Sequence, residues 1–366
     1  MSAITVDTIH DYDAFARMEP VWNETVDRAG LTHPFLRHEW LRSWWDAFSG
    51  NRILNIMVVR AGSNILALAP LMIERARIHG VPVRRVQFLH NDHTPKADVI
   101  VAERPDEAFD ALWDSLMRER SKWDVLQLSQ LPSDSPTHDH VSSRAAAGRY
   151  PTTLWQSDVS PYVELNSDWN DYFASLHSKL RQNLRNRLNR LSQLGEPALQ
   201  VISDPDNIRH MRDHAFALEA SGWKQQAGTA ISSDPNVRRF YTLLADRAAP
   251  KGWLRLLFLT VNGKRIATSY AARYQDRLSF FKTGYDPEFA KYGPFKLLTY
   301  FAIRDGYADG LREVDFLGDA EPWKLEWTSK TRPHDWLFVF GHTARGLLAH
   351  TAKCRAVPLV KRWLHK

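Results

Sequence analysis

Cysteine is almost missing: Cys354 is the single one in 366 residues, so no intramolecular disulfide can form. It stands in a basic C-terminal stretch with no activating motif beside it and reads as an inert thiol. Long apolar runs are missing too. No segment approaches the roughly 18 consecutive apolar residues that span a bilayer. The opening M-S-A-I-T-V-D-T-I-H-D-Y-D has neither the basic start nor the apolar stretch of a secretory leader. A cytoplasmic protein is therefore expected. There is no Gly-x-Ser-x-Gly elbow, no Gly-x-x-x-x-Gly-Lys-Ser/Thr loop and no Gly-x-Gly-x-x-Gly. Those absences disfavour a serine hydrolase, a P-loop NTPase and a dinucleotide enzyme. His90-Asn91-Asp92-His93 supplies only His-x-x-His with no second ligand pair downstream, so it reads as a polar loop and no metal is expected.

What is present describes a globular protein. Apolar residues make up 44% and charged residues 25%. The length suffices for two domains, each with its own core. Tryptophan is abundant at 14, and Trp40, Trp44, Trp45 and Trp113 fall in amphipathic segments, which predicts core packing. The net charge of +6 suits a nucleotide-bearing cofactor, an anionic membrane surface or RNA without choosing among them.

The order of elements repeats. In the first half, strands are predicted at Leu54–Arg60, Ile65–Ile73 and Val81–Leu89, a helix at Asp106–Arg120 and a strand at Trp123–Leu128. In the second, strands at Trp253–Val261, Lys264–Ala272 and Leu278–Gly284 precede a helix at Gly293–Asp309 and a strand at Arg312–Leu317. Asn262-Gly263 is a strong hairpin turn, and Ala61-Gly62-Ser63-Asn64 takes its place in the first half. We therefore expect two copies of one α/β unit, residues 1–158 and 159–366, with a helical insertion at about 169–248. Inside that insertion Leu176, Leu180, Leu184, Leu188 and Leu191 form one helical stripe, stopped by Gly195-Glu196-Pro197. Ser133–Arg149, preceded by Pro132 and containing Pro136, reads as a linker or loop.

The most informative window runs from Phe280 to Trp327. Lys291-Tyr292-Gly293-Pro294 would open a helix with Pro294 in its first turn, and a glycine there lets backbone N–H groups approach an anion. Lys291 and Lys296 add positive charge. K-T-G-Y-D-P-E-F-A-K-Y-G-P-F-K-L-L, followed by G-L-R-E-V-D-F-L-G-D-A-E-P-W-K-L-E-W, resembles the C-terminal signature of the CelD-like acetyltransferases. That group belongs to the GNAT superfamily and is close in fold to the Fem-type transferases that build peptidoglycan bridges. K-L-R-Q-N-L-R-N-R-L-N-R-L is similar to the basic helix of these proteins, and E-A-S-G-W-K at Glu219–Lys224 matches their pattern. The resemblance covers Pro161–Trp327, and the first unit only by element order.

The resemblance implies an α/β fold of two GNAT-like units in tandem with an intervening helical region. It also implies an acyltransferase that moves an acyl group, acetyl by default, from acyl-coenzyme A to an amine or hydroxyl. In such folds the donor wedges between two splayed strands, and a backbone N–H of one strand polarises the acyl carbonyl. Carried over, the polarising strand is Ser279–Thr283, with Phe281, Lys282 and Thr283 beside the cofactor. The pyrophosphate loop runs from Lys291 to Lys296 and includes Tyr292, Gly293 and Phe295. It departs from the usual Gln/Arg-x-x-Gly-x-Gly/Ala by having one glycine. The acceptor expected from the family name is a small molecule or a glycan precursor of exopolysaccharide or envelope metabolism.

Direct transfer needs a base, and an acid near the leaving thiolate helps. Asp315, at a strand end, is the first candidate base; a carboxylate tying the sheet to a neighbouring Arg or Lys fits it equally. Asp319 and Glu321 follow in the next loop, where Lys324 pairs with Glu321 or joins the catalysis, and Trp323 lines the site. Tyr285 would protonate the thiolate or simply pack. Trp223 and Lys224 would line the acceptor site, or Trp223 would simply pack, and an acceptor-binding role stays open for the loop His90–His93 if it faces the cleft between the two units. Lys179, Arg181, Arg185, Arg187 and Arg190 occur without an intervening acid, so Lys179, Gln182, Arg185 or Arg187 would meet the coenzyme's 3′-phosphate, a polyanionic acceptor or RNA. Two other functions fit: a Fem-like transferase drawing an aminoacyl group from charged tRNA, and a non-catalytic binding module of a polysaccharide synthesis complex. The apolar and basic tail Arg345–Lys366 fits peripheral membrane contact or a docked terminal helix.

Overall fold

A computed structural model describes residues 2–221, 228 and 230–356. Its first half carries β1 (Ile4–Ile9), β2 (Ile53–Leu54), β3 (Ile56–Ala61), β4 (Asn64–Ala69), β5 (Leu71–Ile78), β6 (Val81–Phe88), β7 (Ile100–Val101) and β8 (Val125–Pro132). Next come β9 (Thr152–Glu164), β10 (Pro197–Ile202), β11 (Leu254–Val261), β12 (Lys264–Tyr274), β13 (Arg277–Tyr285), β14 (Glu313–Asp315) and β15 (Thr331–Phe340). Among the described residues, β1-β3-β4-β7 form one sheet, and β10-β11-β12-β13-β14-β9-β15-β8-β6-β5-β2 form a second.

The expected order of elements recurs, except that the strand expected at Ile65–Ile73 divides at Pro70 into β4 and β5, which lie in different sheets. β6 runs parallel to β8 through Arg85–Gln87 and Val125–Gln127; β13 runs parallel to β14 through Arg277–Ser279 and Glu313–Asp315. A helix crosses over in each case, Pro105–Arg118 in the first half and Pro294–Ala308 in the second. Both helices start with proline after a residue in the left-handed region, Arg104 at φ 52° and Gly293 at φ 60°. The chain is thus an α/β protein of two similar units. They share a sheet by exchange: β9 pairs with β14, β15 pairs with β8, and β9 and β15 lie side by side between them. Asp158, the expected end of the first unit, lies inside β9.

Three further expectations need correction. The insertion 169–248 is not wholly helical, because Pro197–Ile202 is an edge strand antiparallel to β11. Its proline is the first residue, where a missing donor costs the ladder least. Ser133–Arg149 is not a loop: Thr137–Ala147 is a helix that buries Thr137, His138, Val141 and Ala145, a face too small and polar to stand out as a stripe. The helix expected through Trp169–Leu194 breaks between Ser175 and Ser178, where the His177 ring accepts from Lys179 N. Its leucine stripe survives, with Leu176, Leu180, Leu184 and Leu191 buried and Leu188 half-buried.

The tryptophan-rich helix His38–Phe48 is where the halves pack. Trp40 and Trp44 are fully buried, and Trp40 meets Phe240 and Phe281 edge-on at 5.5 and 5.1 Å. Each buried aromatic contributes on the order of 2–3 kcal/mol by removal from water, so this joint is apolar and strong. Of the tail Arg345–Lys366, residues 345–351 are helical with Leu347 and Leu348 exposed, whereas 357–366 lie outside the described residues.

Candidate active site

β13 outruns its neighbour. Its parallel pairing with β14 ends at Ser279 opposite Asp315, yet it continues to Tyr285 along β12. The chain after β14 turns away through Leu317 and Gly318, both left-handed at φ 54° and 58°. Lys324 holds that turn: its buried ammonium donates to the carbonyls of Leu317 and Asp319 at 2.7 and 2.8 Å and pairs with Glu321 at 3.1 Å. Those contacts use the three donors an ammonium has. The result is a V-shaped gap between Phe280–Tyr285 and Phe316–Gly318.

Two cavities meet at the gap. One, of about 450 Å³, is lined from the second unit by Phe280, Phe281, Lys282, Thr283, Glu321 and Trp323, and from the first by Asp92, His93 and Gln130. The other, of about 640 Å³, is lined by Glu219, Ser221, Thr283, Gly284, Tyr285, Phe295, Glu321 and Trp323. Gly284 is required here. A Cβ would lie 2.4 Å from Glu219 Cα and 2.5 Å from the Leu218 carbonyl, so only glycine lets β13 approach the helix Pro205–Ala220. Trp323 closes the outer side edge-on to Phe295 and Phe316 at 5.1 and 5.6 Å.

At the wide end stands the helix Pro294–Ala308. Its first turn has no acid, and the amides of that turn have no helical acceptor. The basic helix Ser178–Ser192 packs against it. Arg190 donates to the Lys291 carbonyl at 3.3 Å, and Arg187 lies so close over Gly293 that a Cβ there would sit 1.8 Å from its Nη1. Among the described residues no carboxylate lies within ion-pair distance of Lys179, Arg181, Arg185, Arg187 or Arg190. Cationic side chains crowding the positive end of a helix dipole repel it, which is the setting of an anion site.

The predicted residues divide by position. Phe281, Lys282, Thr283 and Tyr285 lie on the free length of β13; Tyr292, Gly293 and Phe295 are at the helix start; Glu321 and Trp323 touch both cavities. Lys291 rests over the Tyr292 ring at 5.1 Å, and Lys296 pairs with Glu326. Arg185 stacks over Phe173 at 5.7 Å, while Arg187 and Arg190 reach the loop. Asp315 is 1% exposed between Lys96 at 2.6 Å and Arg332 at 3.1 Å. Burial pushes its carboxyl up, but the charges of Lys96 and Arg332 prevail and hold it below the ordinary carboxylate value. That setting makes it a tie between the units, a poor proton acceptor. Trp223 and Lys224 lie outside the described residues.

From the first unit the sequence pointed only to the loop His90–His93, of which Asp92 and His93 line the 450 Å³ cavity, and not to Asp158. Asp158 on β9 lines the 450 Å³ cavity and accepts from Gln130 Nε2 at 2.5 Å. His93 lies in the same wall against Tyr241, and burial, with Lys282 nearby, lowers its pKa to about 4, so it is neutral at pH 7. Nothing local marks Asp158. Only the strand exchange brings it to the gap.

Residues 178–325 match the acetyltransferase (GNAT) domain family. The solved structure of FemX superposes with a TM-score of 0.59 at 11% identity over 94% of this chain and all of that one. L-PGS from Bacillus licheniformis gives 0.55 at 10% identity, covering 93% of this chain and 95% of that one. The C-terminal domain of a protein assigned as a lysylphosphatidylglycerol synthetase, from Agrobacterium fabrum, gives 0.54 at 13%, covering 90% and 96%. At these identities the likeness is one of fold. No curated protein sequence matches the chain. Among the described residues no helix is long and apolar enough to cross a membrane, and no group of His, Cys, Asp and Glu is arranged to hold a metal ion.

Proposed function

We propose that the protein transfers an acyl group, acetyl by default, from acyl-coenzyme A to an amine or hydroxyl in the gap between β13 and β14. The carrying observation is that β13 continues past its partner, leaving Phe280–Tyr285 beside an open space. The donor's amide-bearing arm occupies that space, and a backbone N–H of Phe281–Thr283 polarises the acyl carbonyl, an oxyanion-hole contact whose removal typically costs about 3–4 kcal/mol. The first turn of Pro294–Ala308, with Arg187, Arg190 and Lys291, takes the pyrophosphate. Tyr285 is placed to return a proton to the leaving thiolate, and Glu321 and Trp323 border the reacting atoms. Asp315 and Lys324 keep the gap open. Units 1–158 and 159–366 remain the division we propose, the second binding the donor in the cytoplasm. The CelD-like resemblance points to a glycan precursor as acceptor.

A second reading, aminoacyl transfer from charged tRNA, is favoured by the acid-free helix Ser178–Ser192 and by the fold likeness to FemX. Thermal unfolding separates the two. Acetyl-CoA at a hundred times its dissociation constant stabilises by about 2.7 kcal/mol. A shift with charged tRNA alone, its log affinity falling linearly with log salt, would replace the first reading by the second. No shift with either would defeat both.

A further inference from the structure

Charge in this chain is concentrated at its end. From Trp336 to Lys366 there is no Asp or Glu, yet Arg345, Lys353, Arg355, Lys361, Arg362 and Lys366 all fall there. The whole sequence has 48 Lys and Arg against 42 Asp and Glu, so everything before Trp336 carries 42 of each sign. The net charge of +6 thus belongs to this terminal stretch alone. A face that is merely solvated mixes its signs; an acid-free run attracts an anionic partner. Apolar residues are interleaved with the cations: Leu347, Leu348, Leu359, Val360, Trp363 and Leu364.

The helix Ala344–Thr351 shows which side of this stretch is turned outward. Thr343 caps it, its Oγ1 accepting from Gly346 N at 3.0 Å and donating to Asp124 Oδ1 at 2.8 Å. Gly346 is the point of closest docking, where a Cβ would collide with the carbonyl oxygens of Gly341 and Asp124. Ala349, one turn on, is fully buried with Phe338 and Phe340. Lys353 fastens the far end, its ammonium over the Trp155 ring at 3.6 Å and the Phe338 ring at 4.0 Å. These three contacts fix the rotation of the helix. Ala344, Leu347, Leu348 and Thr351 then recur on the opposite face, with Leu347 44% and Leu348 59% exposed. Arg345 flanks them in the open, with no carboxylate within ion-pair distance among the described residues. The helix cannot roll to bury its leucine pair, which stays on the surface beside unpaired positive charge.

We propose that the outer face of this helix, together with the acid-free segment after it, binds the surface of a membrane containing anionic lipid. Leu347 and Leu348 enter the boundary between headgroups and acyl chains, and Arg345 lies at headgroup level. Lys361, Arg362 and Lys366 add attraction to the negative surface, and Trp363 is of the residue type that favours that boundary. A nucleic acid would match the cations and leave the leucine pair in water, whereas a lipid surface uses both. A second copy of the chain would bring the same positive charge and be repelled. The proposal is independent of the donor reading, which stands or falls by acetyl-CoA binding.

Sedimentation of the full chain with vesicles tests it, comparing phosphatidylcholine alone with phosphatidylcholine containing about one-third phosphatidylglycerol. The protein should partition onto the anionic vesicles and not onto the neutral ones, and the partition should fall as salt is raised. Lys361→Gln with Arg362→Gln should weaken it roughly thirtyfold, about fivefold for each charge. Leu347→Ser with Leu348→Ser should weaken it roughly tenfold at the same salt. Arg345→Gln, on the surface, should weaken it about fivefold and carries the test should the leucine variant unfold. No partition onto anionic vesicles, or equal partition onto both kinds, overturns the proposal. Partition that survives both charge variants overturns the lipid's electrostatic role. Full binding by a folded leucine variant overturns the helix face and marks the stretch as bare charge for another polyanion.

Discussion

The two units begin their crossover helices alike, with a left-handed residue followed by proline, and then part company. In the first unit Arg104-Pro105 is followed by Asp106 and Glu107, and Arg104 is paired with Glu107. In the second, Gly293-Pro294 is followed by Phe295 and Lys296, with Arg187 and Arg190 gathered around. The first helix carries its own anions at its positive end; the second lacks them and has surplus cations. The interiors differ in the same sense. Behind the helix Pro105–Arg118 only about 30 Å³ is free, among Phe109, Leu112, Leu126 and Leu128, little more than a water requires. The proposed donor site thus belongs to one unit, while the other is filled behind its crossover helix and lends a wall to the shared cavity.

The strand ends extend the contrast and give the largest expected effect. Where the second unit has Asp315, the first has Gln127, a neutral amide accepting from Arg85 Nη1 at 2.7 Å. Asp315→Asn would leave Lys96 buried beside an amide, at a cost of about 3–5 kcal/mol by denaturant unfolding at pH 7. Because the Asp315 pKa is lowered in the folded state, that stability exists above the ordinary aspartate value and fades as pH falls through the folded one. The D315N deficit should thus shrink in acid; a constant deficit would mean packing, not charge.

Next in size is the helix start. Converting it to the first unit's pattern with Phe295→Asp and Lys296→Glu should weaken acetyl-CoA binding by about 2 kcal/mol, roughly thirtyfold, by calorimetric titration. The reverse change, Asp106→Asn with Glu107→Gln, should leave that titration unaltered. If it created a second binding event, the first unit would be a masked donor site and not a scaffold.

The smallest effect concerns Asp158. Its raised folded-state pKa means that its contribution is intact below the ordinary aspartate value and is lost as pH rises through the folded one. D158N should therefore melt slightly above wild type at pH 7, by under about 1 kcal/mol for a half-exposed group, and no higher at pH 3. Scanning calorimetry at the two pH values decides it.

The repeat was readable because Asn262-Gly263 and Gly62 punctuate largely apolar strands, and the window Phe280–Trp327 held both walls of the gap and the helix start together. The centre of the sheet was not. β15 contains Pro333, which demotes a strand on paper, yet a register shift beside it absorbs the missing donor. β9 contains Pro161 and leaves Leu154 and Trp155 exposed, so its alternation is weak. With those two strands unseen, Asp158 could not be brought to the gap, nor Lys96 to Asp315. Charge on one helix was legible; which arginine faced the loop depended on the rotation of that helix against Gly293.

The central claim is that one unit alone holds the donor, in the β13–β14 gap. Hydrogen exchange of the full chain with and without acetyl-CoA tests it directly. Slowed exchange is expected at 280–285 and 293–297, with no change at 104–108. Equal protection at both helix starts, or protection confined to 104–108, would contradict it.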